Sequence, residues 1–124
     1  MTGIILDFAC AVVLFGWGIA HLLPTGKVVE GFGTISVDNK RIITMEWIIE
    51  GYTLILIGGL VCLVTILDHT ALISRAVYLY AFMMLNVLSV ISLRTGFKIS
   101  FLPFKLCPVV FTGASILLLV GLIV

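Results

Sequence analysis

The chain has 124 residues, 62% of them hydrophobic and only 10% charged, with a mean hydropathy of +1.35. That composition excludes an ordinary water-soluble domain. A net charge of +1, with no dense basic cluster, argues against nucleic acid as a partner and gives acidic lipid headgroups no special role.

A bilayer span needs about 20 mostly apolar residues. Four stretches meet this requirement, residues 4–23, 42–67, 71–93 and 106–124, separated by long loops at 24–41 and 94–105. The expected fold is therefore all-α: a single integral membrane domain over residues 1–124, with four transmembrane helices in an antiparallel up-and-down bundle. Met1-Thr-Gly lacks the basic region of a cleaved leader, so the first span is expected to be retained. Six bases (Lys27, Lys40, Arg41, Arg94, Lys98, Lys105) fall in or beside the long loops, against Arg75 alone at the other side. This bias places both long loops in the cytoplasm and both termini outside the cell membrane.

The first span ends at Pro24, whose ring disfavours helix in the preceding residue. At about 100° per residue, Asp7, Cys10, Leu14, Trp17 and His21 fall on one stripe, more polar than the rest of the helix. In the loop that follows, residues 27–29 and 34–37 are β-prone and flank Gly31-Phe32-Gly33, a pattern expected to close a small surface hairpin. This Gly-x-Gly lacks the strand-to-helix setting of a phosphate loop and reads as turn chemistry.

The second span carries Glu46 and Glu50 four residues apart, in line with Thr53 and Ile57. Gly51, Gly58 and Cys62 lie on another face. Small residues let membrane helices approach closely, so the glycine face is expected to abut a neighbour and the acidic face to look into the bundle. Asp68-His69-Thr70 reads as a tight turn, with Asp68 or Thr70 capping the next helix. The third span gathers Arg75, Tyr78, Phe82, Asn86 and Ser89 on one stripe. The alternating bases and aromatics of residues 94–105 suit the headgroup region, and Pro108 is expected in the first turn of the last span.

Counting depth from the cytoplasmic ends puts His21 and Glu46 about one turn in, and Glu50 and Asn86 about two turns in, at about 1.5 Å per residue. These four are the candidate ligand- or proton-binding residues. Carboxylates withdrawn from water serve general acid–base sites and proton-coupled carriers. The competing reading is structural: His21, Arg41 and Arg94 simply neutralise the acids. At the opposite side, Asp7 and Arg75 are expected to form an ion pair. One histidine with two carboxylates can hold an ion, but the paired Glu-x-x-His motifs of di-iron bundles are absent, so no metal site is assigned. Cys10, Cys62 and Cys107 lie in three different spans without a C-x-x-C motif and read as small buried hydrophobes. Trp17, Trp47, Tyr52, Tyr78 and Tyr80 read as interface anchors or packing.

The run G-W-G-I-A-H-L-L-P closing span one, followed by E-G-Y-T-L-I-L-I-G-G-L in span two, resembles the DoxX-like family of small four-helix membrane proteins. The resemblance covers about the first half of the chain. His21 and Pro24 match the family's polar residue and proline closing the first span, and Glu50 with Gly51 and Gly58 match its acid–glycine pattern. The loop bearing D-N-K-R and the double acid of M-E-W-I-I-E depart from that pattern. The resemblance implies a small membrane subunit, homo-oligomeric or part of a redox assembly, binding a quinone or lipid. A proton-coupled transporter using an intramembrane glutamate, a structural or assembly subunit without a site, and an intramembrane acid–base enzyme stay open beside it. No motif specifies a cofactor.

Overall fold

The computed structural model describes residues 1–124 and contains no strand. Its helices are α1 (Thr2–Leu22), α2 (Thr25–Glu30), α3 (Val37–Asp68), α4 (Leu72–Arg94) and α5 (Leu102–Ile123), with one 3-10 turn at Gly96–Lys98. Four of them, α1, α3, α4 and α5, are long and apolar enough to cross a membrane.

The expected hairpin after α1 is not formed; residues 25–30 are the short helix α2. Pro24 has no N–H and cannot continue α1, but its carbonyl accepts from Val28 N at 3.0 Å and starts a new turn. Gly33 takes the single positive φ of the chain, +70°, which a glycine adopts without strain. Ser36 then caps α3, its Oγ accepting from Asn39 N at 3.1 Å, and Asp38 lies in the first turn, where the helix dipole favours an acid. The second long helix consequently begins at Val37, five residues before the expected start at 42.

At the other end of α3, Asp68 Oδ1 accepts from Thr70 N and Thr70 Oγ1. It therefore ties the turn together and does not cap α4, whose N-cap is Ala71 without a side-chain bond. The last helix starts at Leu102, so Pro108 sits inside it and not in its first turn. That proline leaves the Phe104 carbonyl without its helical donor.

The packing follows the small residues. A methyl added to Gly18 would lie 2.7 Å from the Gly51 carbonyl oxygen, and one added to Gly58 would lie 2.9 Å from that of Ala11. The backbones of α1 and α3 therefore nearly touch along the expected glycine face. Helix α1 also packs on α5, and α5 on α4, whereas α3 and α4 meet only loosely. Between these last two runs an apolar groove of about 570 Å³ lined by residues such as Ile57, Ala76, Tyr80 and Met84. The core is formed by Cys10, Leu14, Leu54, Val61, Tyr78, Leu85, Phe111 and Leu118 with their neighbours. Polar side chains in and beside it bond in pairs: buried Thr65 Oγ1 with Tyr78 OH at 2.8 Å, and buried Ser89 Oγ with the exposed Thr112 Oγ1 at 2.7 Å.

Candidate functional site

The site forms where α1 runs out of helix. The last carbonyls of a helix lack intrahelical donors, and here two are taken by side chains: Leu22 O accepts from Thr25 Oγ1 at 2.6 Å, and His21 O accepts from Trp47 Nε1 at 2.8 Å. The second bond draws the Trp47 ring of α3 over the His21 imidazole. The two rings stack with centroids 3.9 Å apart and planes 16° from parallel. Phe104 of α5 meets Trp47 edge-on at 5.5 Å, and Phe101 meets Phe104 in the same way at 5.8 Å.

The His21, Trp47 and Phe104 rings wall a cavity of about 170 Å³, closed further by Trp17, Ala20, Pro24, Pro103, Leu106 and Cys107. Its lining contains no Lys, Arg, Asp or Glu. Two buried ring nitrogens, His21 Nε2 and Trp17 Nε1, have no hydrogen-bond partner. Buried polar groups nearly always find partners; the nearest here are the Glu50 carboxylate, 3.6 Å from His21 Nε2, and the Cys107 thiol beside Trp17. Cys107 Sγ, also on the wall, gives its own hydrogen to Pro103 O at 3.4 Å.

His21 and Glu50 are brought together, Nε2 to Oε2, at 3.6 Å. The imidazole is buried, but half of the Glu50 side chain is exposed. Glu46 is exposed and makes no ion pair. The expectation that the acidic face of span two looks into the bundle is therefore corrected. Gly51, Leu54, Gly58 and Val61 take the inner face, because the close approach to α1 needs the glycines there, and this turns Glu46, Glu50 and Thr53 outward.

Asn86 does not join the cluster through a hydrogen bond; its amide donates to Phe82 O of its own helix at 2.8 Å. At the far end Asp7 and Arg75 form no ion pair. Arg75 Nη2 instead donates to Leu122 O at 3.2 Å, and Asp7 is buried at 1% exposure with Oδ1 unpartnered. Both acid and base thus turn to the end of α5, which lies where the pair was expected. No group of three or more His, Cys, Asp or Glu is arranged to hold a metal ion, and all three cysteines are free thiols.

His21 lies on the stripe expected of it, and Trp17 and Trp47 pack as expected, Trp47 buried and Trp17 against the core. Comparison with protein-family models, with curated proteins and with solved structures gives no match for this chain.

Proposed function

We propose that this chain is a multi-pass membrane protein that binds a small apolar ligand, a quinone or a lipid, in the cavity between α1, α3 and α5. In this reading the four long helices cross the bilayer as an antiparallel up-and-down bundle, and the excess of bases in the long connections holds those in the cytoplasm. Opposed close contacts, Gly18 with Gly51 and Ala11 with Gly58, favour the antiparallel arrangement of the first two spans. The DoxX-like resemblance supports a small membrane subunit, self-associating or joined to a redox assembly.

One observation carries the ligand reading: a cavity of about 170 Å³ is walled by the stacked His21 and Trp47 rings with Phe104 edge-on to Trp47. Native mass spectrometry of the protein released from nanodiscs tests it. One small molecule per chain is expected in the wild type, and none in Cys107→Phe, which fills the cavity. No adduct in either, or equal adducts in both, contradicts the reading.

A second reading, a proton-coupled transporter, draws on a different residue. Glu50 is half exposed, but Asp7 is an acid fully enclosed within an apolar helix, and intramembrane acids commonly mark ion pathways. Proteoliposomes with an imposed pH gradient should then accumulate or expel substrate in the wild type and not in Asp7→Asn. Equal behaviour of the two removes this alternative.

A further inference from the structure

A second apolar space lies at the same end of the molecule, and this one carries a base. A groove of about 410 Å³ runs between α2 and the segment leading into α5, lined by Lys27, Val28 and Phe32 on one side and by Ile99, Phe101 and Phe104 on the other. Phe32, Ile99 and Phe101 are 55%, 44% and 42% exposed. Apolar surface gathered in this way marks a place where something binds.

Lys27 is the only charged residue of the lining; it is exposed and makes no ion pair. Lys98 precedes Ile99 in the chain and Lys105 follows Phe104, and neither of them is ion-paired. The one acid close by in sequence, Glu30, is exposed and stands outside the lining. Three bases thus face one acid around the groove. No dense basic run shows in the sequence because these lysines belong to two different connections, which the fold brings together.

An apolar groove with a base in its lining suits a molecule whose anion adjoins hydrocarbon. In the membrane reading, on which this inference rests, both connections lie at the headgroup level of the cytoplasmic leaflet, where anionic lipids are concentrated. A soluble anion would leave the aromatic walls uncovered, and a lipid without net charge would leave the excess of bases unanswered. The groove between α3 and α4 differs in having no charged residue in its lining, so nothing there selects a headgroup.

We infer that the groove beside α2 is a site for one acidic phospholipid, with an acyl chain against Phe32, Ile99 and Phe101 and the phosphate at Lys27.

The test uses the full chain in nanodiscs doped with phosphatidylglycerol or phosphatidylcholine that carries a diazirine in one acyl chain, and maps the cross-links to residues. Phosphatidylglycerol should label residues 27–32 and 99–104 more strongly than phosphatidylcholine, while both lipids label Tyr80 and Met84 of the α3–α4 groove equally. Lys27→Gln should lower phosphatidylglycerol labelling of the α2 groove about fivefold, the worth of one base at the headgroup level. Lys40→Gln, which removes the same charge from α3 outside the groove, should leave it unchanged. Equal labelling of the α2 groove by the two lipids, or equal losses in Lys27→Gln and Lys40→Gln, overturns the inference, the second by showing diffuse surface charge in place of a site. Cross-links confined to the long helices overturn it as well but keep the membrane reading. If neither lipid labels the chain anywhere, the membrane reading falls and this inference with it.

Discussion

Helix α1 carries two buried polar residues on one stripe, Asp7 and His21, fourteen positions apart and so separated by about 21 Å. Both are enclosed, at 1% and 8% exposure, and both have an unpartnered atom. What differs is the space beside them. Asp7 is packed against α5 so closely that a methyl on Gly121 would come within 2.5 Å of its Oδ1, whereas His21 borders a cavity of about 170 Å³. The seam at Asp7 leaves no room for a guest; the space beside His21 does.

Breaking the tight seams should cost the most. Gly18→Leu drives a side chain into the Gly51 carbonyl and Ile55, and a loss of about 3 kcal/mol is expected, read as a lower denaturation midpoint in detergent. His21→Ala removes the stack on Trp47 and enlarges the cavity, with an expected cost of about 2 kcal/mol; His21→Phe, which keeps a ring there, should recover most of it. At the other end, Gly121→Ala should cost about 1.5 kcal/mol through its clash with Asp7. Adding Asp7→Ala should recover part of that loss, and simple additivity of the two substitutions would show that the seam is looser than described. The smallest effect belongs to Glu50→Gln. The acid is half exposed and 3.6 Å from the imidazole, so a change below about 0.5 kcal/mol is expected. A loss of several times that would mean that Glu50, and not the cavity, organises this end.

Much of the architecture was legible in the sequence, because hydrophobic length and small-residue phase are local signals. The four apolar stretches became four long helices, and Gly51 with Gly58 marked the face that meets α1. The polar stripe of α1 was equally visible: Asp7, Cys10, Leu14 and His21 are all buried. The start of α3 at Val37 was not legible in the hydrophobic pattern, because it is set by a polar cap outside the apolar run. With Ser36 as cap the helix has 32 residues and is about 48 Å long, well beyond a hydrocarbon core of about 30 Å.

If Asp68 marks the far boundary in the membrane reading, Glu46 lies in the headgroup layer and Glu50 near its edge. Side-chain exposure then needs no buried partner, and the double acid loses its oddity. The Trp47–His21 contact was not legible, since it joins residues 26 positions apart and depends on the azimuth of α3 against α1. Asp7 and Arg75 illustrate the same gap. Equal depth was readable, but the intervening end of α5 was not.

Ligand-dependent stability tests the cavity most directly. Anything that binds the folded state alone raises its melting temperature. In nanodiscs, saturating benzene, which an apolar cavity of about 150 Å³ admits, should raise the melting temperature of the wild type and leave Cys107→Phe unchanged, because the added ring occupies the space between Trp17, His21 and Phe104. An equal rise in both proteins, or no rise in the wild type, would contradict the account.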